Sequence, residues 1–307
     1  MNEPLKNKIF SDEEIKISIC CATYNHEKFI EKCIEGFLEQ ECNFRVEIII
    51  YDDASTDRTT KIVKQFADKY PSIIQPIFSE KNQFSLGVKP YYAYVFPKAR
   101  GKYIAICDGD DFWSDKRKLS IQCEELDKDS NLVITYGKTR AIKANEVVEN
   151  FKSGAERNLS SRDLMLGEPI NTLTACFRNI FKEKMPAEFL RNAPVGDLTV
   201  WCMLGYYGYG KFLTKLKKTN YRIHEGGILS LINKEKAKYM TALTYLNLAA
   251  FHHQKGKTLE SQKCIRKATI YLNSLSHIYL LNLWFLKPFS IFIKPFQKLF
   301  NSIKKRM

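Results

Sequence analysis

Strand-like and helical patterns alternate along the first 140 residues of the chain. Apolar runs at residues 17–22, 46–51, 73–78, 103–107 and 132–137 indicate strands. Between the strands, apolar residues recur every three or four positions, as on one face of a helix. Strands that alternate with helices predict an α/β fold with a mainly parallel sheet flanked by helices, the Rossmann-like arrangement. The helices predicted here lie at residues 27–39, after Asp57 and at residues 115–126.

The pattern weakens after Arg140 and becomes helical towards the C-terminus. Short helices are predicted near residues 161–166 and 197–205, with a strand at 173–178 between them. From residue 234 to about 273 the spacing indicates two helices joined at the sequence KGKT. We therefore expect three parts: an α/β domain at 1–230, a helical hairpin at 231–274 and a C-terminal tail at 275–307.

The charge of the chain indicates which kind of partner to expect. The 307 residues include 48 Lys and Arg against 34 Asp and Glu, a formal net charge of +14. This excess suits an anionic partner such as a membrane surface, a nucleic acid or a phosphorylated substrate. Nine cysteines without a CxxC pair argue against a disulfide framework or a zinc site and favour a reducing cytoplasm. The N-terminal stretch has no apolar core, so we expect no signal peptide.

The tail is both apolar and basic. No acidic residue follows Glu260, and Phe292, Phe296, Leu299 and Ile303 fall on one face of a predicted helix. This pattern is typical of an amphipathic helix that lies in the plane of an anionic membrane surface. A transmembrane span needs about 20 apolar residues, and polar residues interrupt the best stretch here. Packing against a partner or against the rest of the chain is the alternative.

Three carboxylates follow the fourth predicted strand. The stretch YIAICDGDDFWSD places Asp108, Asp110 and Asp111 directly after the apolar run. Like charges this close repel one another, so they favour a site for a hard divalent cation. Mg²⁺ typically combines one or two carboxylates with substrate phosphate and water. The alternative is a solvated turn in which Asp110 or Asp111 caps the next helix.

Polar residues also follow the first two strands. The first strand ends in TYNHE and the second in DDASTD, which supply Thr23, Tyr24, Glu27, Asp52 and Asp53. The carboxyl ends of parallel strands meet at one edge of a sheet, where ligands bind. Helix capping explains the Ser, Thr and Asp of the second motif. It does not explain two adjacent carboxylates at the strand exit, which suit hydrogen bonds to a ribose or a base.

Two motifs of the second half add candidate residues. Asp197 in GDLTVW opens a predicted helix, so capping is one explanation for it. His224 in YRIHEGG lies between Arg222 and a pair of glycines, a setting that suits contact with a phosphate or a metal. The other four histidines, His26 among them, have no such context and are assigned no role.

Jointly, these motifs resemble those of family 2 glycosyltransferases of the GT-A fold. The matching stretches are ISICCATYNHEKFIEKCIEGFLEQ, VEIIIYDDASTDRT, GKYIAICDGDDFW, GDLTVW and YRIHEGGILS, in the family's order across about residues 15–230. The resemblance implies a nucleotide-sugar donor such as a UDP-sugar, a divalent Mn²⁺ or Mg²⁺, and inversion at the anomeric carbon. The hairpin and the tail lie outside it.

The resemblance also implies residue roles. The residues that would bind the nucleotide are Thr23, Tyr24, Glu27, Asp52, Asp53 and Asp108, with Asp53 on uracil or ribose. Those that would bind the metal are Asp108 and Asp110 of the DxD element, Asp111 as an alternative, and His224. Asp197 matches the general base, although Gly196 stands where the family often has a second acid.

Other classes of protein fit the sequence less well. No GxGxxG follows the first strand and no GxxxxGK[ST] occurs, which argues against a nicotinamide dehydrogenase and a P-loop protein. A haloacid-dehalogenase-type phosphatase would need Thr or Val where Phe112 stands. A catalytically inactive scaffold that binds nucleotide-sugar or polysaccharide would not need Asp197.

The expected location in the cell and the expected acceptor follow from the tail and the family. The basic tail and the lack of a predicted span favour a cytoplasmic enzyme that is peripheral on the inner face of the cell membrane. A membrane-surface enzyme of this family suits a glycan or lipid-linked glycan acceptor. We expect no nucleic-acid partner, and a homo-oligomer stays open.

Overall fold

The computed structural model describes residues 3–8, 14–149, 151, 153–182, 188–227 and 233–276. The predicted membrane-binding tail lies outside these ranges, except for its first two residues. Within them, no helix is long and apolar enough to cross a bilayer. All nine cysteines are buried and unpaired.

Ten strands form two sheets in the described part of the chain. In chain order they are β1 (Ile15–Thr23), β2 (Arg45–Asp52), β3 (Ile74–Phe78), β4 (Tyr103–Ile106), β5 (Leu132–Tyr136), β6 (Thr139–Lys143), β7 (Glu146–Val148), β8 (Cys176–Arg178), β9 (Tyr209–Phe212) and β10 (Thr219–Ile223). The large sheet has the order β3-β2-β1-β4-β8-β5-β9, and the small sheet has the order β10-β6-β7. In the large sheet β8 runs antiparallel to β4 and β5, whereas the other neighbours are parallel. The predicted α/β fold with a mainly parallel sheet is therefore confirmed.

Helices cover both faces of the large sheet. They are α1 (Ile30–Leu38), α2 (Thr59–Lys69), α3 (Lys118–Lys128), α4 (Ser161–Met165), α5 (Glu188–Arg191), α6 (Gly196–Leu204), α7 (Lys234–Gln254) and α8 (Thr258–Asn273). The last two are the two helices predicted from residue 234 to about 273. A single π-helical turn among the described residues, Tyr91–Val95, joins β3 to the 3-10 turn before β4.

Two elements differ from their predicted bounds. Helix α1 begins at Ile30 rather than at residue 27, because the carbonyl of His26 accepts the N–H groups of Phe29 and Ile30 in a turn. The strand predicted at 173–178 is shorter, since Thr172–Thr174 is a 3-10 turn and β8 begins at Cys176. Both changes place irregular backbone at the edge of the sheet that carries the polar motifs.

Each face of the large sheet has its own core. In β2, Ile48 and Ile50 belong to a buried cluster with Phe37 of α1, whereas Ile49 belongs to a second cluster with Leu248 of α7. Alternate residues of a strand point to opposite faces, so burial of both faces gives the continuous apolar runs seen in the sequence. The hairpin thus packs into the second core.

Candidate active site

The carboxyl ends of β1, β2 and β4 lie side by side at one edge of the large sheet. Thr23 is in register with Asp52 on the parallel neighbour β2. The N–H of Asp53 donates to the carbonyl of Thr23 over 3.0 Å, and the N–H of Gly109 donates to that of Ala22 over 2.9 Å. Main-chain hydrogen bonds therefore hold the first three polar motifs together.

Asp108 and Asp111 accept hydrogen bonds from within the protein. The hydroxyl of Tyr91 donates to Asp108 Oδ1 over 2.6 Å, and the N–H of Arg222 donates to Asp111 Oδ1 over 2.8 Å. Burial raises the pKa of Asp108 to about 7, and the charge of Asp110 adds to the shift. Burial also raises the pKa of Asp111, with Asp110 again contributing. Repulsion by the neighbouring carboxylate of Asp110 thus contributes to the raised pKa of both groups.

Asp110 faces two histidines. Its Oδ2 lies 3.1 Å from His224 Nε2 and 3.9 Å from His26 Nε2. Burial would raise the pKa of Asp110, but the hydrogen bond from His224 and the charge of His26 outweigh it and lower the pKa. One ligand atom from each of the three side chains lies within 4.8 Å of the others. Two imidazoles and one carboxylate in this arrangement can hold a divalent cation.

His26 is a residue that the sequence analysis missed. The hydroxyl of Thr23 lies 3.1 Å from the ring Nδ1 of His26, and the backbone N–H of His26 donates to Thr59 Oγ1 over 2.8 Å. These contacts direct Nε2 towards Asp110. The signal was present, because His26 belongs to the same strand-end motif, TYNHE, from which Thr23 was taken.

A long-range contact brings His224 to the acidic cluster. Phe112 and Asn220 exchange main-chain hydrogen bonds of 3.2 and 3.1 Å, which joins the loop after β4 to β10. The Arg222 guanidinium stacks 4.4 Å from the centre of the Phe112 ring and donates to the carbonyl of Asp110. The position of His224 therefore depends on the contact between β10, which it follows directly, and the distant loop after β4.

The two carboxylates that follow β2 are buried and hydrogen bonded. Asp52 accepts hydroxyl hydrogen bonds from the loop and helix that follow it. Asp53 accepts from the hydroxyl of Tyr51 at 3.0 Å and from the N–H groups of Gln83 and Phe84 at 2.7 and 2.9 Å. A carboxylate offers about four lone-pair sites, and these hydrogen bonds use three of those of Asp53.

The residues after β1 are linked to the loop after β2. Glu27 accepts from the backbone N–H and the Nε of Arg58, both at 3.1 Å. Asn25, in a left-handed conformation with φ 54°, accepts the N–H of Thr56 over 2.8 Å. The side chain of Tyr24 is 41% exposed and can contact a ligand at this rim.

Asp197 lies in the first turn of α6, two residues after the N-cap residue Val195. Its Oδ1 accepts the N–H of Leu198 over 2.8 Å, and its Oδ2 accepts the hydroxyl of Thr172 over 3.4 Å. Burial raises the pKa of Asp197, although these hydrogen bonds and the charge of Lys89 oppose the shift. A carboxylate with a raised pKa suits a group that takes up a proton.

Asp197 lies near the acidic cluster, and the region between them is the candidate cleft. The charge of Asp197 contributes to the raised pKa of Asp108, so the two carboxyl groups lie within electrostatic range. The structure therefore brings together the sequence-predicted residues of β1, β2, β4, α6 and β10. Asp52 lies deepest among them, with 1% of its surface exposed.

Solved structures share this fold. Staphylococcus aureus TarS in complex with UDP-GlcNAc superposes with a TM-score of 0.61 at 18% identity, over 91% of this chain and 76% of TarS. The mannosyltransferase PcManGT from Pyrobaculum calidifontis, in complex with GDP-Man and Mn²⁺, gives a TM-score of 0.51 at 17% identity, over 99% of this chain and 89% of that one. At these identities the likeness shows the fold alone, which is the GT-A fold.

Sequence relatives define the family. An uncharacterized protein of Mycobacterium tuberculosis is 40% identical over 126 residues, 41% of this chain, and the match spans only 36% of that relative. TuaG of Bacillus subtilis, named for teichuronic acid biosynthesis, is 26% identical over 78% of this chain and 91% of its own. The UDP-Glc:α-D-GlcNAc-diphosphoundecaprenol β-1,3-glucosyltransferase WfaP of Escherichia coli is 25% identical over 77% and 88%. The profile described as "Glycosyl transferase family 2" matches residues 18–185, more than half of the chain. The chain therefore belongs to glycosyl transferase family 2.

Proposed function

We propose that this chain transfers a sugar, with inversion, from a nucleotide-sugar of the UDP class to a hydroxyl group of a glycan or lipid-linked glycan. The observation that carries the proposal is the composition of the cleft. His26, Asp110 and His224 form a group that could hold a metal ion, and Asp197, whose pKa is raised by burial, lies within electrostatic range of the adjacent Asp108. Displacement of a nucleoside diphosphate by a hydroxyl group is assisted by a base for the hydroxyl proton and by a cation at the leaving diphosphate.

The relatives support the choice of substrates. WfaP is named for a UDP-glucose donor and a diphosphoundecaprenol-linked acceptor, and TuaG is named for the synthesis of a surface polysaccharide. TarS has been solved with UDP-GlcNAc. We carry these substrate classes over to this chain as part of the proposal.

Asp197 is the proposed general base. A sugar hydroxyl is a poor nucleophile, and a carboxylate within reach removes its proton as attack proceeds. The hydrogen bonds from Leu198 and Thr172 fix the orientation of the carboxylate while its burial keeps its basicity high. No covalent intermediate on the enzyme is required, which is consistent with inversion.

His26, Asp110 and His224 would hold the divalent cation. Imidazole nitrogens suit Mn²⁺ better than Mg²⁺, which prefers oxygen ligands and water. Asp108 and Asp111 border this set, and we retain them as proposed acidic groups on the donor side. A cation held there would neutralise charge on the departing diphosphate. Thr23, Tyr24, Glu27, Asp52 and Asp53 form the proposed nucleotide side of the cleft.

A panel of nucleotide-sugars tests the proposal. The protein is incubated with each donor, with Mn²⁺ or Mg²⁺, and release of free nucleoside diphosphate is measured with and without glycan acceptors. We expect release from one or a few donors, stimulated by acceptor. Hydrolysis of simple phosphomonoesters instead would indicate a phosphatase, and tight donor binding without turnover would indicate a scaffold. Either outcome would contradict the proposal.

We also propose that the basic tail binds an anionic membrane surface. Six basic residues and no acidic residue lie between Lys287 and Met307. Each basic residue near an anionic bilayer contributes about 1 kcal/mol. Apolar side chains of the same segment would add a contribution that salt does not screen.

Charge neutralisation of the tail should weaken vesicle binding. Changing Lys304, Lys305 and Arg306 to Gln removes about 3 kcal/mol of attraction, so partitioning onto vesicles rich in phosphatidylserine should fall roughly 100-fold. Co-sedimentation with the vesicles measures this partitioning. The matched control changes three exposed lysines of α2, at positions 61, 64 and 69, to Gln. Equal losses in both variants would refute a specific role for the tail, because net charge alone would then explain binding.

A further inference from the structure

The π-helical turn Tyr91–Val95 is hydrogen bonded both to the acidic cluster and to α6. Pro90 stands at its N-cap and Lys89 precedes it. Rare π-helical turns occur frequently at functional sites, because they display side chains at angles that a regular helix does not. Two adjacent tyrosines of this turn contact opposite sides of the site.

Tyr91 contacts the donor side. Its hydroxyl donates to Asp108 Oδ1 over 2.6 Å and accepts the N–H of Ala22 over 3.3 Å. Ala22 precedes Thr23 on β1, so one hydroxyl group joins the ends of β1 and β4. Removal of this hydroxyl would leave the Asp108 carboxylate without its phenol donor.

Tyr92 contacts the side of the base. Its hydroxyl lies 2.6 Å from Thr199 Oγ1 and 3.2 Å from the carbonyl oxygen of Gly196, both in the first turns of α6. The amine of Lys89 donates to the carbonyl of Pro194 over 3.1 Å, two residues further upstream. The turn is thus hydrogen bonded to the backbone just before Asp197 and to a side chain just after it.

The two rings share one buried support. Tyr91 and Tyr92 each pack with their ring centres 5.5 Å from that of Phe96, and Tyr92 is 4% exposed. Burial raises the pKa of both phenols, so each keeps its proton at neutral pH and can act as a donor. Neighbouring positions on a helical turn do not face the same way, which is why one tyrosine reaches β4 and the other reaches α6.

We infer that Tyr91 and Tyr92 are positioning residues that set the placement of Asp108 relative to Asp197. Sugar transfer requires the leaving diphosphate and the attacking hydroxyl to be aligned, and small displacements of catalytic groups have large effects on rate. Because both hydroxyl groups belong to one turn, their hydrogen bonds fix Asp108 and α6 relative to each other. This inference rests on the proposed function for its catalytic meaning but not for its geometry.

Single-hydroxyl variants of the full chain test the inference. Tyr92→Phe should speed hydrogen exchange of the amides of α6 and lower turnover about fivefold, with the donor KM unchanged. Tyr91→Phe should speed exchange of the amides of Gly109 and Asp111, and weaken UDP binding in the presence of Mn²⁺ about tenfold. The two variants should therefore differ, with turnover reduced in Tyr92→Phe and UDP binding weakened in Tyr91→Phe. A merely structural role would not produce this difference.

Two matched controls remove a hydroxyl outside the cleft. In Tyr103→Phe the lost bond is to Asp127 Oδ1 at 2.7 Å, and in Tyr136→Phe it is to the carbonyl of Arg157 at 2.6 Å. If Tyr91→Phe and Tyr92→Phe match these controls in exchange, UDP binding and turnover, the inference is wrong. If the wild-type protein transfers no sugar, the proposed function fails. The hydrogen-exchange measurements would then still show whether the π-helical turn stabilises both α6 and the loop after β4.

Discussion

Replacing Asp197 with asparagine should lower sugar transfer by about 10³-fold, within the range typical of lost general-base catalysis. Asparagine keeps the size of the side chain and can still accept the N–H of Leu198, but it cannot take up a proton. The loss should therefore fall on turnover, with affinity for the nucleotide-sugar close to that of the wild type. Steady-state kinetics with the active donor, together with calorimetric binding of UDP, measure the two effects separately.

The pH dependence provides a second test of Asp197. Since burial raises its pKa above the ordinary value of 3.8, wild-type turnover should decline as the pH falls towards that raised pKa, because the neutral carboxyl group cannot act as a base. The residual rate of Asp197→Asn should lack the part of this decline that is due to protonation of Asp197, whereas any part due to Asp108, whose pKa is about 7, should persist.

Asp163→Asn is the matched control, because Asp163 also lies in the first turn of a helix and takes part in a capping box outside the cleft. If Asp197→Asn transfers sugar as fast as Asp163→Asn, capping is the whole role of Asp197.

Asp110→Ala should lower transfer roughly 10²-fold or more and should abolish its dependence on Mn²⁺. The change removes the only carboxylate of the set formed with His26 and His224 in the described part of the chain. Chelation of the wild-type protein with EDTA should reproduce the loss, and added Mn²⁺ should restore the wild type but not the variant. Titration with Mn²⁺ in the presence of UDP measures the binding directly.

The same titration tests the role of His26. His26→Ala should weaken Mn²⁺ binding by at least tenfold, the usual effect of altering a metal site. Asp127→Ala is a suitable control for the carboxylate, because Asp127 is bonded to Lys16, Lys102 and Tyr103 at the opposite end of β4. Full wild-type activity in excess EDTA, or unchanged Mn²⁺ affinity in both site variants, would contradict the metal assignment.

The sequence determined the fold class and the location of the site. Strands and helices follow from local periodicity, and parallel strands place their carboxyl ends at one edge of the sheet, so the polar residues after β1, β2 and β4 had to meet. Local sequence also fixed the hairpin of α7 and α8, since both helices show their spacing without reference to distant residues.

Only the tertiary structure decided which of these residues contact one another. Strand β8 enters the sheet between β4 and β5, and its antiparallel direction has no local signal. His224 reaches Asp110 through the pairing of Phe112 with Asn220, which are distant in sequence, and His26 joins them because a turn replaces the first residues of the predicted helix. Burial acts to raise the pKa of Asp108, Asp110 and Asp111 alike, and only Asp110 has a lowered pKa because two histidines face it. These properties depend on long-range contacts, and a pattern of neighbouring residues contains no information about such contacts.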